Sequence, residues 1–94
     1  MLGFDWDEAN LHHIALHSVT PEEVEQVLQG PTFEIDAYEL NGEERIEEVG
    51  ATQSGRILKI VTTVRNGLIR VVTAYDAVSA IKQAFMEQQK RLYE

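Results

Sequence analysis

The sequence predicts an α+β domain in which two short helices precede a four-stranded antiparallel meander and a last helix. Helix-start signals cluster near the N-terminus, and after Pro31 the spacing of apolar residues changes from helical to alternating. Two Asn-Gly dipeptides separate β-forming runs, which is typical of hairpins with two-residue loops. The predicted order is therefore ααββββα.

The first helix is expected from about Glu8 to His17, with Asp5 or Asp7 as its N-cap. Its predicted apolar stripe consists of Leu11, Ile14 and Ala15. The second helix has a stronger start signal, Thr20-Pro21-Glu22-Glu23, which combines a capping threonine, a proline at the first position and a glutamate that completes a capping box. This helix should end at Gly30 and turn three apolar residues inward: Val24, Val27 and Leu28.

Four strands should follow, the first of them carrying the alternating residues Phe33, Ile35 and Ala37. The hairpin at Asn41-Gly42 leads into a strand over residues 43–51, and the next strand is expected over residues 56–65. The hairpin at Asn66-Gly67 leads into a last strand over residues 68–75. From residue 76 onward, helical spacing predicts the C-terminal helix through its apolar residues Ala77, Ile81, Phe85 and Leu92.

A two-residue loop at Asn66-Gly67 fixes which residues of the last two strands face each other. It pairs Arg65 with Leu68, Val64 with Ile69, and Thr63 with Arg70. The core face should then hold Leu58, Ile60, Val64, Ile69 and Val71. The opposite face should hold Lys59, Thr63, Arg65 and Arg70 among the apolar residues Ile57, Val61, Leu68 and Val72. The first hairpin would set Arg45 across from Tyr38, close enough for a cation–π contact.

Composition indicates one soluble domain, residues 1–94, in the cytoplasm. The chain has no cysteine, no apolar run of membrane-spanning length and no secretory signal at its acidic N-terminus. Its net charge of −8 is divided unevenly: residues 1–44 contain eleven acidic and no basic residues, whereas residues 45–94 contain all eight basic residues and five acidic ones. This balance argues against a general nucleic-acid binder but permits local RNA binding or a basic partner.

The histidines are the first candidate functional residues. His13 and His17 lie four positions apart and should be neighbours on one helix face, whereas His12 points outward. The spacing resembles the metalloprotease pattern H-E-x-x-H, but Ile14 replaces its glutamate and no third ligand stands out. We therefore expect no metal and no other cofactor. Polar lining beside the core is an equally simple interpretation of the pair.

The basic sheet face is the second candidate. Its cations could hold an RNA backbone, and Tyr38 or Tyr75 could stack a base. Two other interpretations stay open: an ordinary solvated face, or a face covered by a partner or a second subunit because apolar residues are mixed into it. RNA cleavage without a metal needs a base for the 2′-hydroxyl, a cation for the phosphorane and an acid for the leaving oxygen, which His17, Arg45 and Arg70 could supply.

Several motifs together resemble one family. The run W-D-E-x-N-x-x-H-I-x-x-H-x-V-T-P-E-E, from Trp6 to Glu23, is similar to the opening of BrnT-type toxins, and more closely to a side branch with N-x-x-H-I-x-x-H-G. Three later runs fall where that family has G-E-E-R, G-R-x-L and I-R-I-I-S-A: Gly42-Glu43-Glu44-Arg45, Gly55-Arg56-Ile57-Leu58 and Ile69-Arg70-Val71-Val72-Thr73-Ala74. The resemblance extends to about Ala77.

The resemblance implies a RelE-like fold, a metal-independent endoribonuclease that inhibits translation, and a DNA-binding, BrnA-like antitoxin as partner. It places His17 on the family's K-H-G histidine, Arg45 on the G-E-E-R arginine, and Arg70 on the arginine of the last strand. With Tyr75, which stands at the S-A-R arginine, these are the candidate catalytic residues. The candidate RNA-binding residues are His13, Lys59, Arg65 and Tyr38.

The chain departs from the family pattern at four of the positions compared: Leu16, Ser18, Tyr75 and Ile81. Leu16 and Tyr75 stand where the family is basic, Ser18 replaces a glycine, and Ile81 replaces an acidic residue. Fewer cations would weaken the binding of a phosphodiester, although Tyr75 could act as an acid or as a stacking residue. The alternative prediction is a non-catalytic protein on the same fold that forms homodimers or binds an antitoxin.

Overall fold

Three helices and one four-stranded antiparallel sheet form residues 2–92, the part of the chain that the computed structural model describes. The elements, in chain order, are α1 (Glu8–Ala15), α2 (Pro21–Gln29), β1 (Thr32–Leu40), β2 (Glu43–Ala51), β3 (Ile57–Arg65), β4 (Leu68–Asp76) and α3 (Ser79–Leu92). The strands lie in the order β1-β2-β3-β4. The predicted α+β class and the order ααββββα are confirmed.

Both hairpins close on Asn-Gly turns, as predicted. Asn41 and Asn66 each have φ of 53°, and the glycines that follow them also have positive φ. Two consecutive residues of positive φ define a type I′ turn, whose twist matches that of the flanking strands. The predicted register is confirmed: Arg65 lies opposite Leu68, Thr63 opposite Arg70, and Tyr38 opposite Arg45.

A β-bulge in β4 changes the pattern beyond that point. Val61 lies opposite Thr73, but the next residue, Thr62, lies opposite Val71, so Val72 is an extra residue in β4. Strict alternation from Val71 would have turned Tyr75 towards the core face. The bulge instead turns Tyr75 to the opposite face, where its partner is Lys59.

The main core lies between the first two helices and one face of the sheet. It consists of Ile14, Val19, Val24 and Val27 on the helical side and Leu58, Ile60, Val71 and Ala74 on the sheet side. Each valine, leucine or isoleucine side chain among them contributes about 1.5–3 kcal/mol when it is fully buried. Gly50 permits close contact between β2 and α2, because a Cβ at this position would lie 2.8 Å from Val27 Cγ1.

Val64 was predicted in this core, but its side chain is 59% exposed. It does lie on the helical side of the sheet, because its register partner is Ile69 and alternation relates it to Leu58 and Ile60. Helices of eight and nine residues are too short to cover nine-residue strands from end to end. The hairpin ends of β3 and β4 therefore extend past the helices.

The opposite face of the sheet, predicted to carry cations, is partly covered by α3. Phe85 is buried, and its ring stacks on that of Phe33 with 6.0 Å between centroids. Phe33 pairs with the fully buried Val49. The residue after Val49, Gly50, faces α2, so Val49 and its partner Phe33 lie on the side of the sheet opposite α2. In the predicted α3 stripe, by contrast, Leu92 is 64% exposed.

The first helix differs from its prediction in two respects. It ends at Ala15 instead of His17, and Leu11 and Ala15 are exposed instead of buried. Asn10 takes the buried position, because its side chain accepts a hydrogen bond from Asp7 N (2.8 Å) and donates one to the carbonyl of Asp5 (2.8 Å). Asp7 is the N-cap, and its carboxylate accepts from Asn10 N.

The second helix agrees with its prediction in full. It begins at Pro21 after the cap Thr20, has the capping box with Glu23, and ends before Gly30. Among residues 2–92, no helix has both the length and the apolar character that a membrane span requires.

Candidate functional site

The six predicted site residues of the sheet share one face. The register pairs Tyr38 with Arg45, Lys59 with Tyr75, and Thr63 with Arg70, and alternation places Arg45 and Arg65 on the same side as Thr63. We call this the basic face, defined by Tyr38, Arg45, Lys59, Arg65, Arg70 and Tyr75. The main core lies on the other side of the sheet, so the predicted grouping of these six side chains on one face agrees with the geometry.

A cavity of about 180 Å³ opens between α1 and the hairpin end of the basic face. His13 and three arginines line it, together with Asn10, Glu43 and Thr63: the arginines are Arg45, Arg65 and Arg70. We call this cavity the arginine pocket. Guanidinium groups bind phosphate oxygens in a bidentate manner, so a pocket with three of them has the chemistry to hold a phosphodiester.

Arg70 is held by two carboxylates of the N-terminal segment. Its Nη1 lies 2.9 Å from Asp7 Oδ2 and 3.4 Å from Asp5 Oδ2, and Nη2 donates to Asp7 Oδ1 at 3.2 Å. Backbone hydrogen bonds of Gly3 and Asp5 with Ile69 hold this segment along the free edge of β4. The hydrogen bond from Arg70 lowers the pKa of Asp7, and that carboxylate in turn raises the pKa of Arg70.

Arg45 and Arg65 share a second carboxylate. Glu43 accepts from Arg45 Nε and from Arg65 Nη2, each at 3.2 Å. These contacts, the one from Arg65 first, lower the pKa of Glu43. The predicted cation–π contact of Arg45 with Tyr38 is replaced by this ion pair, although the two residues do lie opposite each other.

Lys59 and Tyr38 meet at a third carboxylate. Glu47 lies 2.7 Å from Lys59 Nζ and accepts a hydrogen bond of 2.7 Å from the Tyr38 hydroxyl. Glu47 raises the pKa of Lys59 and that of Tyr38, whereas its own pKa is lowered by Lys59. The Tyr38 phenol is therefore neutral, and its hydroxyl already donates a hydrogen bond to Glu47.

A row of rings connects the arginine pocket to Lys59. The centroids of His13 and His17 are 6.2 Å apart, and those of His17 and Tyr75 are 5.6 Å apart. Lys59 Nζ lies 5.7 Å from the centre of the Tyr75 ring. Both histidines are exposed, so the interpretation of the pair as lining of the core is wrong. His17 follows the end of α1, and Ser18 after it has φ of 57°.

The counter-charges were missed by sequence reasoning. Asp5, Asp7, Glu43 and Glu47 pair with the four cations of the basic face. Alternation along β2 could have revealed two of them, since Glu43 and Glu47 stand two positions to either side of Arg45. The aspartates could not be found in this way, because they reach Arg70 from a segment more than sixty residues away.

These residues can perform acid–base chemistry on an anion held by arginines. Two exposed imidazoles and a phenol can transfer protons, and the adjacent guanidinium groups can stabilise negative charge. Among residues 2–92, no three His, Cys, Asp or Glu side chains are grouped in a way that could hold a metal ion.

Comparison with known families identifies the family of the chain. A family model described as "Ribonuclease toxin, BrnT, of type II toxin-antitoxin system" matches residues 6–80 of the 94. No curated protein matches the chain. The matched range includes both N-terminal helices, all four strands and every candidate site residue. The chain that carries the arginine pocket and the row of rings therefore belongs to the BrnT family of ribonuclease toxins.

Proposed function

We propose that this chain is a metal-independent endoribonuclease that inhibits translation by cleaving RNA. The observation that carries the proposal is the contact between His17 and Tyr75, two groups able to transfer protons, beside a pocket of three arginines. His13 joins the two parts, since it lines the pocket and lies next to His17. Membership of a ribonuclease toxin family supports the same reaction class.

In the proposed reaction, His17 takes the proton of a ribose 2′-hydroxyl, and the oxygen attacks the adjacent phosphorus. Arg70 and Arg45 stabilise the charge of the phosphorane that forms. The bond from phosphorus to the 5′-oxygen then breaks, and Tyr75 gives its proton to that oxygen. The products are a 2′,3′-cyclic phosphate and a 5′-hydroxyl end. Lys59, 5.7 Å from the Tyr75 ring centre, stabilises the phenolate until it is reprotonated.

The remaining candidates bind the strand on either side of the reacting phosphate. Arg65, at the hairpin end of the pocket, meets a neighbouring phosphate. Tyr38, at the far side of the basic face, offers its ring to a base. His13 contributes a donor between the pocket and His17. RNA would have to replace Asp5, Asp7 and Glu43 as the partner of the arginines.

The proposed setting is the cytoplasm, where the chain, as one domain over residues 1–94, would be neutralised by a DNA-binding, BrnA-like antitoxin. Family membership implies an antitoxin partner. The acidic first half of the sequence, with eleven carboxylates and no cation in residues 1–44, suits a partner with a basic surface.

The first test is cleavage of a labelled RNA by the purified chain in the presence of a chelator. We expect 2′,3′-cyclic phosphate ends from the wild type, and a loss of rate of at least about 100-fold in H17A and in R70A. H12A is the matched control, since His12 is also exposed on α1 but is not among the residues that line the pocket. Because His17 is exposed, H17A should keep the wild-type melting temperature. Intact RNA at high wild-type concentration would contradict the proposal.

A non-catalytic role is the second candidate, and one observation favours it. Each of the four cations of the basic face is engaged by a carboxylate, so phosphate meets no excess of positive charge there. Such a protein would bind an antitoxin or a second copy of itself. Induced expression in a bacterial host distinguishes the candidates: growth arrest with RNA loss that H17A abolishes supports the ribonuclease, and normal growth supports the non-catalytic protein.

A further inference from the structure

Arg56 makes more polar contacts than the proposed reaction explains. Its Nε and Nη2 donate to the two oxygens of Asp76 at 2.9 and 3.2 Å. Its Nη1 donates to both oxygens of Glu23 at 3.1 Å. The same guanidinium also donates to two backbone carbonyls, those of Ser18 (2.8 Å) and His17 (3.3 Å). One side chain thus binds four residues.

These four residues belong to three separate elements around the row of rings. His17 and Ser18 form the turn after α1, Glu23 completes the N-terminal cap of α2, and Asp76 is the last residue of β4. Asp76 directly follows Tyr75, and His17 is the residue whose ring lies against Tyr75. Arg56 therefore contacts the backbone of one proton-transfer candidate and the chain neighbour of the other.

The turn after α1 has two backbone carbonyls that accept hydrogen bonds from Arg56. Carbonyl groups past the end of a helix lack intrahelical partners, and cations at this end are favoured by the helix dipole. Ser18 has φ of 57°, which costs a non-glycine residue about 1–2 kcal/mol. The donors of Arg56 fix the direction of the carbonyls at this strained turn. The side chain of Arg56 is 24% exposed, so the contacts are partly shielded from water.

We propose that Arg56 is a positioning residue that holds the His17 ring at its observed distance from Tyr75 by joining the turn after α1 to the end of β4. The inference rests on the proposed function for its catalytic consequence, but the geometry itself can be measured without activity. Arg56 touches neither ring, so its effect is transmitted through the backbone of residues 17–18 and through Asp76.

The test compares R56K with the wild type. Lysine keeps the charge but has a single ammonium group, which cannot reach two carboxylates and two carbonyls at once. A role in charge balance alone would survive this change, whereas a positioning role would not. V27A is the matched control, because it removes buried methyl groups from the core but none of the hydrogen-bond partners of Arg56.

The first readout is nuclear Overhauser cross-peaks between the His17 and Tyr75 rings. We expect these cross-peaks in the wild type and in V27A and their loss in R56K, with the cross-peaks between core residues Ile14 and Val24 kept. If R56K does not fold, D76N provides the same test, since it weakens the tether to β4 but leaves the carbonyl contacts. Unchanged His17–Tyr75 cross-peaks in the folded variant would overturn the inference.

The second readout is the rate of RNA cleavage. Displacement of a proton-transfer group by about 1 Å costs on the order of 100-fold in rate, so kcat should fall by about that factor in R56K while KM changes little. A wild type without ribonuclease activity refutes the proposed function, and the cross-peaks then still decide the role of Arg56. An active wild type with an equally active R56K refutes the positioning role alone.

Discussion

Removal of the two carboxylates that hold Arg70 should increase RNA binding. With Asp5 and Asp7, the Arg70 cluster carries a formal charge of −1, which repels a phosphate. D7N makes the cluster neutral, and D5N/D7N leaves it at +1. Asparagine caps helices as well as aspartate does, and its side-chain oxygen can still accept from Asn10 N, so α1 should be preserved.

The expected magnitude follows from counterion release. Each phosphate that a protein neutralises on single-stranded RNA steepens the plot of log Kobs against log salt by about 0.7. One freed cation in D5N/D7N should therefore steepen the slope by about 0.7, and D7N by about half of that. Between 50 and 200 mM salt, the double variant should lose about 2.6-fold more affinity than the wild type loses.

Fluorescence anisotropy with a short labelled RNA, titrated at several salt concentrations, measures these slopes. E8Q/E22Q is the matched control, because it also changes the net charge from −8 to −6 but removes two exposed carboxylates that do not pair with Arg70. Equal slopes for D5N/D7N and E8Q/E22Q would mean that overall charge, and not access to Arg70, limits binding. That result would refute the reasoning.

Three further changes test the fold. S18G should raise the free energy of unfolding by about 0.5–1 kcal/mol in urea titration, because glycine accepts the positive φ of residue 18 without strain. G50A should lower the free energy of unfolding by about 1–3 kcal/mol, because the added Cβ would lie 2.8 Å from Val27 Cγ1. G30A is the control, because the nearest atom to its added Cβ would be 3.5 Å away. In the folded protein, Arg56 lowers the pKa of Asp76 below its ordinary value of 3.8. As the pH falls, the unfolded chain therefore takes up this proton before the folded protein does, which favours unfolding. The melting temperature, followed by circular dichroism, should fall as the pH drops below 3.8.

The hairpins and their register were predictable because local chemistry determines them. Asn-Gly is among the few dipeptides that accept positive φ at both turn positions, so Asn41-Gly42 and Asn66-Gly67 each specify a two-residue loop. Once the loop is known, the partners of Arg45 and Arg70 follow by counting along the strands. This is why the sequence alone assigns residues that are far apart in the chain to one face of the sheet.

The end of α1 was not predicted, because the usual signal for a helix C-terminus is absent from the sequence. The sequence continues with Leu16 and His17, both compatible with a helix, and no glycine marks the stop. Ser18 nevertheless adopts positive φ, where its carbonyl accepts a hydrogen bond from Arg56, thirty-eight residues away. A prediction from neighbouring residues alone therefore extends the helix by two residues and misses the turn that contains His17.

The bulge at Val72 determines part of the geometry of the candidate site, and the sequence did not predict it. Nothing in the run of β-branched residues before it distinguishes one regular strand from two segments joined by an extra residue. Yet in a regular strand Tyr75 would face the main core, on the opposite side of the sheet from Lys59, and Ala74 would lose its place there. The row from His17 through Tyr75 to Lys59 thus depends on two irregularities, the positive φ of Ser18 and the extra residue in β4. Sites are commonly found where a chain departs from regular local structure, and in this protein the two departures bring a histidine and a tyrosine into contact beside the arginine pocket.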